Sequence, residues 1–441
     1  MTNQHVRHLS KLAKKWLLSV TPSTSMIDQQ VAIKATGMKA NSHVTIRSVA
    51  EKKTDEIIER FESHAHYKAG DNGEVSVPDQ AASGGLYTGT EPMGLFWSMV
   101  PSPGERLGAR FILRDATKPM VVQLSLYEGQ LDTAALQTTE PKATAAAERW
   151  YMGKDVERIE VEHGRLRGAL FKPKGPGPFP GVIDMFGTAG GLIEIRAAAL
   201  ASHGFASYAL PYFAYKDLPK GLQNLEAEYF RDAVDWLCDQ PYVKPGGVGI
   251  VGVSFGATLA LQTSALFPKK VSSVISINGS HVFPIDPMTL NGEELPYVPF
   301  DGVIPEPVSG VYDVFDTGKN LYDLQDEDSA FIKLENNQKC KYLFVTGEAD
   351  RTWDSCFYAK KSIEQLKRYG CSNYQLLSYP GAGHLLEIPW APAGSRFWSP
   401  LINGVLEHGG TPFGNTRAME DSWPKMIRFL RRHCGIGNSK L

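Results

Sequence analysis

The stretch Val248-Gly249-Ile250-Val251-Gly252-Val253-Ser254-Phe255-Gly256, with the small-residue run Ala257 to Ala265 directly after it, decides how the rest of the chain is read. Val248 to Val253 carries no charge and predicts a buried strand, and the run that follows predicts a helix. Between them lies G-x-S-x-G, which sets the serine on a sharp strand-to-helix turn. Its flanking glycines are needed because the neighbouring backbone packs too closely for a Cβ. Such a turn lifts the Ser254 hydroxyl clear of the sheet and aims the positive end of the next helix at the place where an oxyanion develops. The motif alone is common; with a strand before it and a helix after it, it predicts a nucleophile elbow.

Working outward, Gly181 to Met185 and Phe205 to Leu210 are short apolar runs that predict buried strands, with a helix over Leu192 to Ala201 between them. Leu225, Tyr229, Ala233, Trp236 and Leu237 recur at helical spacing, so their aromatic rings are read as core. Further strands are expected at Val271 to Ile277, Tyr342 to Thr346 and Tyr374 to Tyr379, with helices at Ser355 to Arg368 and Trp423 to His433. Arg158 to Val161 and Arg167 to Phe171 read as a hairpin around His163-Gly164. Strands alternating with helices predict a mainly parallel sheet flanked by helices, here an α/β-hydrolase domain over 158–434. Ahead of it, 21–136 carries short alternating segments at Val31 to Ile33, Val44 to Ile46, Val75 to Val77 and Met120 to Tyr127, which predict a smaller N-terminal β-sandwich. The Thr- and Ala-rich 137–157 reads as a linker. Ser280 to Lys339, rich in Pro, Gly and Asp, reads as a functional insertion or lid.

A serine hydroxyl is a weak nucleophile until a base takes its proton, so a histidine is expected after a later strand. His384 follows the Tyr374 to Tyr379 strand in the turn Pro380-Gly381-Ala382-Gly383-His384. His408 and His433 are placed in a loop and a terminal helix, and His281 precedes the candidate acid, so all three are weaker choices. The acid should lie between serine and histidine, since this fold orders its triad serine, acid, histidine. Asp350, just past the Tyr342 to Thr346 strand, fits best. Glu348 stands too near the strand end and Asp354 reads as the cap of the next helix; both remain alternatives. An oxyanion hole needs two backbone N–H donors. Phe255 supplies one, and Gly187 or Thr188, in Phe186-Gly187-Thr188-Ala189-Gly190-Gly191, the other. That same loop lacks G-x-G-x-x-G and a Walker lysine, so it is not read as a dinucleotide or P-loop site.

The 441 residues carry a formal net charge of -2, which speaks against a nucleic-acid partner, and no apolar run nears the roughly 20 residues of a membrane span. The five cysteines, Cys238, Cys340, Cys356, Cys371 and Cys434, are scattered and unpaired in spacing, as in a reduced intracellular protein; no metal site is read from them. The tail 435–441 ends in Ser439-Lys440-Leu441, a peroxisomal address read by an import receptor. The segment 1–20 alternates Arg7, Lys11, Lys14 and Lys15 with apolar residues and reads either as a transit peptide, giving a mitochondrial pool, or as a basic surface segment, leaving a cytosolic pool open.

Three motifs carry a resemblance to a known family: Gly89-Thr90-Glu91-Pro92-Met93-Gly94-Leu95, Pro178-Phe179-Pro180-Gly181-Val182-Ile183-Asp184-Met185-Phe186-Gly187, and Ile277-Asn278-Gly279-Ser280. From about Thr21 to Cys434 the chain resembles the acyl-CoA thioesterase and bile acid-CoA:amino acid N-acyltransferase family. The resemblance implies attack on the thioester of an acyl-CoA substrate and a covalent acyl-enzyme, with coenzyme A as part of the substrate and no separate cofactor. The family's transferases typically carry cysteine at the nucleophile position and its thioesterases serine. Ser254 therefore implies hydrolysis, with acyl transfer to an amino acid or general carboxylesterase activity as alternatives. The acyl pocket is expected from the Ser280 to Lys339 insertion and the Pro389 to Thr416 loop. Lys216, Lys220 and Arg351 are candidates for the coenzyme A phosphates, and oligomeric state is open.

Overall fold

The computed structural model describes residues 15–53, 57–325 and 328–435. The Ser439-Lys440-Leu441 address and most of the basic N-terminal segment lie outside the described residues. The part of that segment that is described is no targeting helix: Leu17–Thr21 is a strand paired antiparallel with Ala32–Thr36, its alternate residues Leu18 and Val20 turned inward. Period-two burial suits a half-buried sheet surface and not a helix face.

The N-terminal domain packs a three-stranded sheet against a larger one whose long hairpin, His43–Lys53 with Ile58–Lys68, forms its spine. Ile33 and Val75 from the smaller sheet share one apolar core with Ile46 and Leu124 from the larger. The expected linker is corrected here. Ala143–Trp150 is an internal strand of the larger sheet, antiparallel to Met120–Glu128 and parallel to Thr24–Met26. Ala147 and Arg149 on its inward side are wholly buried. Arg149 donates to Ser25 Oγ and to the carbonyls of Ile27 and Gln29. Burial lowers that guanidinium's pKa to about 10.

The second domain is built on one eight-stranded sheet. Its strands are β1 (Val156–His163), β2 (Leu166–Pro173), β3 (Gly181–Met185), β4 (Ala206–Ala209), β5 (Val248–Val253), β6 (Val271–Ile277), β7 (Lys341–Gly347) and β8 (Tyr374–Tyr379), in spatial order β1-β2-β4-β3-β5-β6-β7-β8. The first two pair antiparallel as the expected hairpin, and β4 onward is parallel. The helices α1 (Ile195–Ser202), α2 (Ala227–Cys238), α3 (Phe255–Leu266), α4 (Ser355–Arg368) and α5 (Pro412–His433) connect or cover these strands. This is the α/β-hydrolase architecture. The final helix starts well before the expected Trp423, because Thr411 caps it through Gly414 N and Pro412 opens it, while Pro424 is held inside.

The insertion after β6 and the loop before α5 are joined by a small sheet: Val311–Tyr312 pairs with Gly404–Glu407, which pairs with Arg396–Ser399. Both segments thereby close over the carboxyl ends of the parallel strands, where ligands bind in open α/β sheets. No described helix is long and apolar enough to cross a membrane.

Candidate active site

Ser254 occupies the junction of β5 and α3 at φ 59°, ψ -131°, a region that L residues rarely adopt. Close packing on both sides enforces the bend. A Cβ on Gly252 would stand 2.2 Å from the Gly256 carbonyl oxygen, and one on Gly256 would stand 2.3 Å from that of Phe186. No larger residue fits either place without moving backbone. Ser254 N–H donates to Ile277 O at 2.9 Å, fixing the elbow to the end of β6.

His384 brings the separate elements together. Its Nε2 lies 2.7 Å from Ser254 Oγ and its Nδ1 lies 2.8 Å from Asp350 Oδ2. The second carboxylate oxygen of Asp350 accepts from Thr352 N at 2.8 Å and Trp353 N at 3.3 Å. Asp350 and His384 are 5% and 1% exposed, so their attraction acts away from bulk water. The expected triad is thus assembled, and the alternatives are placed elsewhere. Glu348 accepts from Ser378 Oγ, Asp354 caps α4 through Phe357 N, and His433 meets Phe429 edge-on at the end of α5. His281 is enclosed by Phe331 and Tyr358, with ring centroids at 4.9 and 5.0 Å. Neither of its nitrogens has a partner among the described residues, and burial pushes its pKa down to about 3.

The loop after β3 flanks the serine. Tyr212 Oη lies 2.7 Å from Phe186 O and 3.0 Å from Gly187 O, holding two successive carbonyls on one side. In trans peptides the N–H groups of Gly187 and Thr188 then point to the opposite side. A Cβ on Gly187 would meet Ser254 Cβ at 2.9 Å, so only glycine lets this backbone approach the nucleophile. Behind the loop, Arg196 pairs with buried Asp184 and donates to Met185 O. Burial raises the Asp184 carboxyl above its usual range despite that partner.

Sequence reasoning missed several supporting residues. Asn278, buried at φ 49°, donates through Nδ2 to Gly383 O at 3.1 Å and His384 O at 2.7 Å, and accepts from Gly347 N at 2.9 Å. It joins the ends of β6 and β7 to the histidine loop; asparagine tolerates positive φ, which was the available signal. Trp353 meets the His384 ring edge-on at 5.3 Å while its indole donates to Asn278 O. His408 lies in a loop, as expected, but it supports the site. It directly follows the strand Gly404–Glu407, stacks on His384 with centroids 5.7 Å apart, and lies 2.9 Å from Thr352 Oγ1 through Nδ1. Burial, with repulsion from His384 and Arg110, holds its pKa well below the ordinary value, so it adds no second positive charge beside the triad.

Ser254 and His384 open into a cavity of about 350 Å³. Phe300 and Ile304 from the insertion and Trp398 and Leu401 from the later loop form apolar walls, as expected. From the N-terminal domain comes Arg110, paired with Glu387 and stacked over Phe186 and Phe397. Lys216, Lys220 and Arg351 do not line this cavity: Lys216 pairs with Glu160 and Glu162, Lys220 is exposed, and Arg351 pairs with Asp313.

The sheet, the bent serine and the hydrogen-bonded acid-histidine-serine series together define an α/β-hydrolase enzyme with serine as its nucleophilic group. Residues 28–163 match the family model described as acyl-CoA thioester hydrolase/BAAT N-terminal region, and residues 225–436 match BAAT/acyl-CoA thioester hydrolase C terminal. The chain belongs to this family. It is 37% identical to the acyl-coenzyme A amino acid N-acyltransferase 1 of Mus musculus, over 96% of this chain and 99% of that protein. It is 39% identical to the bile acid-CoA:amino acid N-acyltransferase of Homo sapiens, over 94% and 97%. It is 36% identical to the acyl-coenzyme A thioesterase 1 of Mus musculus, over 95% and 97%.

Proposed function

We propose that the protein hydrolyses acyl-CoA thioesters, fatty or related, to the free acid and coenzyme A. The observation that carries this reading is Ser254 Oγ, 2.7 Å from His384 Nε2, at the floor of an apolar cavity. Ser254 attacks the thioester carbonyl carbon as His384 takes its proton, and Asp350 stabilises the resulting imidazolium. The N–H groups of Phe255 and of Gly187 or Thr188 receive the developing oxyanion. The carbon–sulfur bond breaks, the thiolate takes the proton from His384, and an oxygen ester remains on Ser254. Water, deprotonated by His384, attacks that ester, and the serine recovers its proton as the acid departs. The chemistry uses protein groups alone, with coenzyme A entering as part of the substrate. Release of coenzyme A from acyl-CoAs of graded chain length should be readily measured with the wild type and fall at least about 10³-fold in Ser254→Ala. No release by the wild type, or full activity in the variant, defeats the reading.

Transfer of the acyl group to an amino acid is the second reading, since two of the named relatives are N-acyltransferases of 37% and 39% identity. Serine at position 254, where the family's transferases typically have cysteine, supports water as the acceptor. N-acyl glycine or taurine found by mass spectrometry after adding the amino acid would favour transfer. For location, Ser439-Lys440-Leu441 supports a peroxisomal destination. A fluorescent protein fused ahead of the chain should enter peroxisomes and lose that distribution when the tripeptide is deleted. A mitochondrial pattern when the fluorescent protein is fused behind the chain, leaving the basic N-terminal segment free, would instead credit that segment.

A further inference from the structure

A second, larger hollow of about 650 Å³ adjoins the catalytic cavity and shares Arg110, Ala189, Trp398 and Pro400 with it. Its lining differs sharply in charge. Lys52, Lys53, Arg106, Arg110, Arg114 and Lys118 line it, and Asp115 is the one acid among them. In the catalytic cavity Arg110 alone represents lysine and arginine. The nearby carboxylates do not cancel the cations. Glu59 serves both Lys52 and Arg106, Glu51 serves Lys53, Glu387 serves Arg110, and Asp115 serves Lys118, so four acids face six bases. Arg114 has only carbonyl partners among the described residues, Gly190 O at 2.6 Å and Ala189 O at 3.4 Å. An excess of positive charge in a concave place, on a chain whose formal net charge is -2, is a local feature that attracts anions.

Position gives the hollow its meaning. Arg114 grips the far end of the same loop whose near end, Gly187 and Thr188, lies beside Ser254. Trp398, 45% exposed, stands on the boundary of both cavities and offers a flat apolar surface there. A ligand occupying both spaces would carry an apolar acyl chain at one end, a reactive carbonyl near Ser254, and several negative charges at the other end.

We propose that this basic hollow between the two domains binds the phosphate-bearing nucleotide half of the thioester substrate, with Arg114, Lys53 and Lys118 facing its phosphates and Trp398 packing against the arm or base that passes it. This rests on the acyl-CoA reading above and replaces Lys216, Lys220 and Arg351 as the phosphate contacts. Arginine and lysine suit the task because charge-assisted bonds to phosphate oxygens are strong even where partly solvated.

The test compares two thioesters of the same acyl chain, one on coenzyme A and one on N-acetylcysteamine, which has no nucleotide. In Lys53→Glu/Lys118→Glu the ratio of kcat/KM on the first to that on the second should fall about tenfold or more, with the loss in KM. Inhibition by added 3′-phosphoadenosine 5′-diphosphate should weaken in parallel. A ratio that falls by less than about threefold overturns the proposal. Should that variant fail to fold, salt decides in the wild type. KM for the coenzyme A thioester should climb with ionic strength while that for the short thioester stays nearly flat, and equal responses sink the idea. If the wild type cleaves neither thioester, the hydrolase reading itself fails, which is a separate result.

Discussion

At the scale of single residues, the triad follows from few rules. Ser254, Asp350 and His384 were each identifiable from the strand they follow, since in this fold catalytic side chains sit at the carboxyl ends of parallel strands. Their supports were not identifiable that way, because Asn278 acts on residues about a hundred positions away, through main-chain groups that a sequence does not display. Asn278→Ala removes three hydrogen bonds to buried main-chain groups, at about 1 kcal/mol each. The expected outcome is a lowered melting temperature and a kcat reduced about tenfold or more, with KM changed far less, because the histidine is displaced and the pocket is not. Steady-state kinetics on an acyl-CoA separate the two, and an unchanged kcat refutes the role. The supporting role of His408 was hidden for a related reason: the strand it follows, Gly404–Glu407, is four residues long and pairs only with other short segments, so no periodic pattern announces it.

At the scale of elements, agreement does not track burial: Val271–Ile277 is almost wholly buried, whereas Tyr374–Tyr379 has no fully buried residue. The strand Val271–Ile277, the helix Ser355–Arg368 and the strand Tyr374–Tyr379 have the bounds expected from sequence. The Ala143–Trp150 strand was lost because alanine and threonine there alternate in exposure without alternating strongly in polarity. Its place in the sheet is set by neighbours from opposite ends of the domain, Thr24–Met26 and Met120–Glu128, and tertiary pairing overrides weak local preference. Ser280 to Lys339 was correctly marked as an insertion over the site, but the short pairing of Val311–Tyr312 with Gly404–Glu407, which fixes its position, spans too few residues to leave a pattern.

At the scale of the whole molecule, buried imidazoles link folding to acidity. His281 has its pKa lowered from 6.5 to about 3 by burial, with Lys361 adding repulsion. Between those values the unfolded chain holds a proton that the native state excludes, so stability declines as pH drops below about 6.5, by at most about 1.4 kcal/mol per pH unit for this group. Above pH 6.5 the residue contributes no pH dependence, and His408 acts in the same direction. Urea unfolding at pH 7.5 and pH 5 should therefore show a marked loss at the lower pH, with about 2 kcal/mol of it absent in His281→Phe. An equal loss in both proteins would show that another group is responsible.

The pairing of Arg110 with Glu387 has a further consequence. Glu387 is three positions beyond the catalytic histidine, and Arg110 belongs to the sandwich, so the two halves of the chain grip each other beside the triad. Arg417 with Glu91 and Trp423 with Asp28 fasten the same seam at other points. Parting the halves like a clamshell would break all three of these contacts at once, one of them three residues from the imidazole. With those contacts kept, the serine is reached along the cavity that both halves line, and the sandwich is its doorpost.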